Sequence, residues 1–174
     1  AGRAASNGKR KGGIKVHTLL RSDEDVPCLI RFSAGAAHDS PFLKELKLPE
    51  GSILLFDRGY VDYAQFQHFS QQGVTWVTRR RRNTVYQTVE RLPISPSQSV
   101  KGVQKDRLVI LGHRVYEHPL ANARLIHFTD PQSGVKFQFL TYNTTLAPAT
   151  IASLYQKRWQ IEILFKRLKQ NYPL

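Results

Sequence analysis

The pattern of apolar and polar positions changes along the chain and predicts segments with different secondary structures. Two β-rich runs, IKVHTLL and VPCLIRF, flank an acidic turn at residues 21–25 and predict a β-hairpin. A short helix is predicted from Asp39 to Leu46. Residues 1–13 show no hydrophobic periodicity, so we expect a flexible basic lead-in before the first strand.

The central segment predicts a strand, a helix and a second strand. The apolar run at residues 52–57 ends in Asp57, which is typical of a strand that is buried on both faces. Residues 61–72 have helical spacing and are followed by Gly73, and residues 74–78 then predict another strand. This order predicts a parallel crossover unit. Asp57 would then lie at the carboxyl edge of the sheet, where active sites collect.

The remainder of the chain predicts β structure followed by one helix. Residues 84–142 contain four β-rich runs joined by turn material, which predicts a β-rich insertion. Residues 149–170 contain strong helix formers and no internal Gly or Pro, which predicts a single helix. The predicted fold class is therefore α/β.

The composition favours a nucleic-acid partner. Twenty-six Lys and Arg against thirteen Asp and Glu give a net charge of +13, which suits an extended polyanion. A basic surface that only keeps the protein soluble, or a ribosome-associated protein, is the alternative. Cys28 is the only cysteine, which excludes an intramolecular disulfide and a cysteine-based zinc cluster. Because no apolar run reaches the ~18 residues of a membrane span, we expect a cytoplasmic protein with no membrane partner.

The predicted final helix carries four polar side chains along one stripe. At about 100° per residue, Arg158, Glu162 and Lys169 fall within about 60° of Tyr155. A carboxylate can hold a divalent metal, while arginine, tyrosine and lysine contact neighbouring phosphates. The alternative is an ordinary ion pair between Arg158 and Glu162, which would stabilise the helix by only ~0.3 to 0.5 kcal/mol.

The spacing of these four residues resembles the Tyr-Arg-Glu-Lys signature of bacterial insertion-sequence DDE transposases of the IS-four-like class. The motif reads Tyr155-x2-Arg158-x3-Glu162-x6-Lys169. Three further segments are similar to the same family: residues 11–17, residues 38–40 and residues 57–60.

The resemblance covers about residues 11 to 171 and implies a fold. The expected fold is a ribonuclease-H-like mixed sheet with flanking helices and a β-rich insertion before the C-terminal catalytic helix. Residues 14–174 would then be part of a transposase catalytic domain.

The resemblance also implies a function, a cofactor and partners. It implies metal-dependent cleavage and transfer of DNA strands, with Asp57 and Glu162 as catalytic carboxylates that hold two Mg²⁺ ions, for which Mn²⁺ can substitute. Tyr155, Arg158 and Lys169 are the implied DNA phosphate contacts. The implied partners are double-stranded DNA at transposon ends and target DNA, bound by a homodimer of the intact enzyme that is associated with the nucleoid.

Two further features are candidate DNA contacts. The arginine run Arg79, Arg80, Arg81 and Arg82 follows a predicted strand and is expected to run along the phosphate backbone, a solvated basic loop being the alternative. Trp159 is a candidate for stacking on bases, with packing against a neighbouring strand as the alternative.

One expected residue is missing from the motif set. The family's first aspartate should end a strand before Lys11, and residues 1–10 contain no acid. We therefore expect the chain to be a fragment that is inactive alone. Two other functions remain open: a non-catalytic nucleic-acid-binding relic of a transposase, and a general ribonuclease-H-like nuclease. Asp57 could also be an ordinary strand-end residue that caps a turn.

Overall fold

The computed structural model describes two compact units. One consists of residues 1–46 with 159–174, and the other of residues 47–158. The predicted lead-in at residues 1–13 and most of the predicted acidic turn, residues 22–25, lie outside the described residues. The described residues are 14–21, 26–34, 36–37, 39–112 and 121–171.

Strands dominate the described part of the chain. None of its helices is long and apolar enough to span a membrane. Two 3-10 helices, Ser40–Glu45 and Arg58–Tyr60, accompany the strands and α-helices. In chain order the strands and α-helices are β1 (Ile14–Arg21), β2 (Val26–Ala34), β3 (Ile53–Phe56), α1 (Tyr63–Gln71), β4 (Thr75–Arg79), β5 (Tyr86–Arg91), α2 (Pro96–Val100), β6 (Val103–Leu111), β7 (Ala121–Thr129), β8 (Lys136–Thr141), α3 (Pro148–Gln156) and α4 (Trp159–Asn171).

The first unit contains the predicted hairpin. β1 and β2 pair in antiparallel orientation, which confirms the prediction from the two β-rich runs. The buried His17 ring stacks on Phe42 with 5.2 Å between the ring centroids. The Nε2 atom of His17 lies 2.8 Å from the Ser33 hydroxyl oxygen. The predicted short helix at residues 39–46 is present as the 3-10 helix that supplies Phe42.

The second unit is built on a six-stranded mixed sheet. Its strand order is β3-β4-β8-β7-β6-β5, in which β3 and β4 are parallel and the other neighbours are antiparallel. Because α1 connects β3 to β4, the predicted strand-helix-strand crossover is confirmed. The four strands of the predicted β-rich segment extend this same sheet. The result is a mixed α/β architecture compatible with a ribonuclease-H-like transposase fold.

Helices cover both faces of this sheet. Successive residues of a strand point to opposite faces, so Trp76 and Val77 of β4 belong to different cores. On one face the Phe66 ring of α1 stacks on Trp76 at 4.5 Å between centroids. On the other face Ile151 and Tyr155 of α3 pack in the cluster that contains Val77. The α3 face therefore brings Tyr155 to the end of β4.

The prediction of one helix over residues 149–170 is wrong. The chain forms α3 and α4, separated by a turn at Lys157 and Arg158. The Lys157 amide donates to the Leu154 carbonyl at 3.0 Å, and the Arg158 amide donates to the Tyr155 carbonyl at 3.1 Å. These i to i−3 bonds tighten the last turn, and no glycine or proline marks the break in the sequence. Tyr155 and Glu162 therefore lie on different helices, and helical spacing does not align them.

Candidate active site

Asp57 follows β3 directly, at the carboxyl edge of the parallel strand pair. Its backbone is extended, and its carboxylate accepts a hydrogen bond of 2.6 Å from the Arg58 amide at the start of the 3-10 helix. The side chain is half-buried. Asp57 therefore lies at the edge of the sheet where parallel strands direct functional groups.

Arg81 fixes the turn that follows Asp57. Its guanidinium donates from Nε to the Arg58 carbonyl and from a terminal nitrogen to the Gly59 carbonyl at 2.8 Å. A planar guanidinium that spans two consecutive carbonyls restricts the turn more than a single donor would. Arg81 is therefore a positioning residue for the Asp57 carboxylate.

Tyr155 lies within the electrostatic reach of Asp57 and two arginines. Burial raises the pKa of Tyr155 to about 12, the nearby Arg158 and Arg79 charges act to lower it, and the Asp57 charge acts to raise it. The Arg158 guanidinium lies 5.5 Å from the Tyr155 ring centroid. We call Asp57, Arg79, Tyr155 and Arg158 the Asp57 cluster. With its pKa this high, Tyr155 remains protonated at neutral pH and can donate a hydrogen bond.

The four consecutive arginines that begin with the last residue of β4 make different contacts. The Arg79 guanidinium lies over the Phe137 ring, 5.2 Å from its centroid. Arg80 donates to the Gln138 side chain. Arg81 holds the Asp57 turn, as described above, and Arg82 is exposed. Arg80 and Arg81 are therefore engaged with protein groups, and contact of the whole run with phosphate stays a prediction.

The other predicted site residues belong to α4, in the first unit. Glu162 is exposed in the first turn of the helix, where the helix dipole favours a negative charge. Trp159 is 59% exposed at the start of α4. The Lys169 side chain lies outside the described residues. Within the described ranges, no group of three or more His, Cys, Asp or Glu side chains is arranged to hold a metal ion.

Comparison with protein families identifies the chain. It matches the model of the Transposase DDE domain family over residues 1–173. The chain belongs to this transposase family. No solved structure gives a significant match to this transposase domain.

Curated relatives of the transposase domain carry consistent names. It is 26% identical to a protein of Sinorhizobium fredii named as the transposase y4zB, over 99% of this chain and 48% of the relative. It is 27% identical to a protein of Geobacillus stearothermophilus named as a transposase for insertion sequence element IS5377, over 94% and 43%. A Synechocystis protein named as a transposase for element IS4SA is 25% identical, over 92% and 45%. The chain spans about half the length of these relatives.

A buried ion pair supports the loop that leads into α3 of the transposase domain. Arg124 donates to both carboxylate oxygens of Asp106, at 2.8 and 2.6 Å, and both side chains are almost fully buried. Arg124 also donates to the carbonyls of Asn143 and Leu146, at 3.2 and 2.7 Å. The loop that these bonds hold precedes the helix with Tyr155. The sequence reasoning missed this pair, although an acid and an arginine inside apolar strand runs are a signal for one.

The start of α3 has an unusual cap. Its N-cap residue, Ala147, provides no side-chain hydrogen bond. Instead, the Gln98 side chain of α2 accepts from the Ala149 amide at 2.9 Å. A cap supplied from a residue 51 positions away along the chain could not be recognised from local sequence patterns.

The Tyr155 hydroxyl supplies a testable property of the Asp57 cluster. Among the described residues it has no hydrogen-bond partner of good geometry, although the side chain is only 4% exposed. Arg158 acts on the hydroxyl through its charge and through a side-chain hydrogen bond of poor geometry. Because an unsatisfied buried hydroxyl costs about 1 to 3 kcal/mol, Tyr155→Phe is expected to leave the free energy of unfolding unchanged or raise it by about 1 kcal/mol. Urea denaturation measures this.

The matched control is Tyr142→Phe, which removes a hydroxyl from a half-exposed tyrosine. Its effect is expected to stay within about 0.5 kcal/mol. A loss of more than about 1 kcal/mol in Tyr155→Phe would show that the hydroxyl is bonded within the fold and is not kept for a ligand.

Proposed function

We propose that this transposase domain takes part in metal-dependent DNA strand cleavage and strand transfer during transposition of an insertion sequence. The proposal rests on the family and on the names of the relatives. The structural observation that best supports it is the Asp57 cluster. It combines a carboxylate, two guanidinium groups and a protonated tyrosine hydroxyl, which suits a phosphodiester next to a metal ligand.

The proposed metal ligands are Asp57 and Glu162. Carboxylate oxygens are the ligands that Mg²⁺ prefers, so these side chains fit Mg²⁺ or Mn²⁺. When bound, a pair of such ions would activate the attacking oxygen and stabilise the leaving oxygen. Three carboxylates are expected for two ions, and we assign two of them.

The proposed DNA contacts include side chains of both units. Tyr155 donates a hydrogen bond to a phosphate oxygen, and Arg158 and Arg79 neutralise its charge. Lys169 is assigned to a neighbouring phosphate, and Trp159 to stacking on a base. Arg81 acts through Asp57 by holding its turn, which leaves Arg82 as an exposed contact on the approach path.

The proposed partners are transposon-end DNA and target DNA. The net charge of +13 supports a polyanionic partner. A homodimer is proposed because both ends of an element must be cut. A cytoplasmic, nucleoid-associated location would follow from these partners.

A non-catalytic nucleic-acid-binding protein is the second candidate. The high positive charge favours it, since DNA binding alone needs no carboxylates. Strand cleavage by the product of the complete genomic reading frame separates the two functions.

The assay follows nicking of duplex DNA that carries the ends of the element. Nicking is expected in the presence of Mg²⁺ or Mn²⁺. It is expected to disappear when EDTA is added and to return when Mg²⁺ is restored. DNA binding without nicking in every metal tested would favour the non-catalytic candidate. Nicking that persists in EDTA would exclude the proposed metal chemistry.

A further inference from the structure

A row of basic side chains crosses the face of the six-stranded sheet that α1 packs against. Directly opposed residues of neighbouring strands share a sheet face. Arg91 on β5 is opposite Arg107 on β6, and Lys105 on β6 is opposite His127 on β7. Lys105 and Arg107 are two residues apart on one strand, so all four side chains lie on the same face.

Arg80 completes this row at the end of β4. It donates to the side chain of Gln138 on β8, and Gln138 is opposite His127. The row therefore extends from β4 to β5 across the sheet. We call its members the basic face: Arg80, Arg91, Lys105, Arg107 and His127.

The length of the basic face suits an extended polyanion. Four steps between neighbouring strands, at about 4.8 Å each, give roughly 19 Å. A DNA strand places phosphates at a rise of about 3.4 Å along its axis, so the row matches several successive phosphates. A single small anion would use only part of it.

The charges of the basic face oppose one another. Like charges directly opposite each other, such as Arg91 and Arg107, destabilise a sheet. The β6 carboxylate, Asp106, pairs with Arg124 on the other face of the sheet and therefore does not neutralise the charges of the basic face. Packing alone does not account for such an arrangement, whereas an anionic ligand does.

The pKa of His127 reflects this accumulation of positive charge. Burial lowers the pKa of His127, and the positive charges of Arg107, Lys105 and Arg80 lower it further. These three groups come from β6 and from the chain after β4, and the β8 neighbour is the neutral Gln138. The Nε2 atom is buried and has no hydrogen-bond partner within the described ranges. An anion on the basic face would therefore act on His127 mainly through its charge.

We propose that the basic face binds the phosphate backbone of DNA and forms a second DNA contact surface of this domain. The inference rests on the proposed function for the nature of the ligand. Arg79 and Arg80 are neighbours whose side chains serve different sites: Arg79 belongs to the Asp57 cluster and Arg80 to the basic face. DNA that leaves the cluster therefore meets the basic face around the end of β4.

The first test is the salt dependence of duplex DNA binding by the 174-residue chain, measured by fluorescence anisotropy. Lys105→Ala/Arg107→Ala is expected to weaken binding at least about tenfold at low salt. It is also expected to reduce the slope of log K against log salt by about 1.8, since each phosphate contact contributes about 0.9. The charge-matched control is Lys47→Ala/Lys101→Ala, which removes two exposed lysines and is expected to retain the wild-type slope. Circular dichroism verifies that each variant is folded.

The second test follows the His127 ring by NMR during a pH titration. DNA binding is expected to raise its pKa by at least about one unit, so binding takes up a proton and strengthens as the pH falls. The proposal for the basic face would be overturned if both double variants weakened DNA binding equally. It would also be overturned if DNA binding did not change the pKa of His127, or if the wild type did not bind DNA. The metal-dependent nicking assay is independent of these results, so the proposed function can fail or survive separately.

Discussion

Asp57→Asn is expected to lower the rate of metal-dependent DNA nicking by about 10³-fold or more. A metal ion stabilises the charge of the transition state by several kcal/mol, and about 4 kcal/mol corresponds to a 10³-fold change in rate. The substitution preserves the fold because an asparagine oxygen can still accept from the Arg58 amide, as Asp57 does now. The measurement is the initial nicking rate of the complete reading-frame product in Mg²⁺.

Two further variants are measured in the same nicking assay. Glu162→Gln is expected to reduce nicking by a similar factor, since it removes the other proposed metal ligand. Glu90→Gln neutralises an exposed acid on β5 and serves as the control, with nicking expected to stay near the wild-type rate. If Asp57→Asn kept more than about a tenth of the wild-type rate, Asp57 would not be a metal ligand.

Arg124→Met is expected to lower the free energy of unfolding by about 3 to 5 kcal/mol. The substitution leaves the Asp106 carboxylate buried without its partner, and breaking a buried pair on one side has a cost of this size. It also removes the donor to the carbonyls of Asn143 and Leu146. Urea denaturation of the chain and of the variant gives the difference.

The control for Arg124→Met is Arg82→Met, which removes an exposed arginine and is expected to change stability by less than about 0.5 kcal/mol. The double variant Asp106→Leu/Arg124→Met is expected to recover much of the loss, because it leaves no buried charge unpaired. A loss below about 1 kcal/mol in Arg124→Met would mean that the ion pair does not support the fold.

Local patterns predicted the local elements of the fold. The hairpin of β1 and β2 and the crossover from β3 through α1 to β4 depend on runs of apolar residues and on short connections. Asp57 was expected at the end of its strand for the same reason, and the structure places it there.

Non-local contacts account for what local patterns missed. That β8 pairs with β4, and so joins the β-rich segment to the main sheet, depends on residues 60 or more positions apart. The Gln98 cap and the Asp106–Arg124 pair depend on register between distant strands and helices. The basic face belongs to the same class, since alternation predicts strands but cannot show which residues of neighbouring strands share a face.

The break between α3 and α4 limited the prediction of the candidate site. Residues 149–170 predict one helix because they contain strong helix formers and no internal Gly or Pro. The break consists of backbone hydrogen bonds that no residue type in the sequence indicates. The resemblance, rather than the helical spacing, therefore supports assigning Tyr155 and Glu162 to one site. Proximity of Tyr155 to Asp57 emerged only from the folded chain.

We propose that Asp57 and Glu162 hold the same metal centre. Fe²⁺ can replace Mg²⁺ at an oxygen-ligand site, and with ascorbate and peroxide it cuts the backbone near its ligands. Applied to the complete reading-frame product, this reaction is expected to cut next to residues 57 and 162, with both cuts suppressed by excess Mg²⁺ and both lost in Asp57→Asn. Cuts near residue 162 that persist in Asp57→Asn, or cuts at neither position, would contradict the claim.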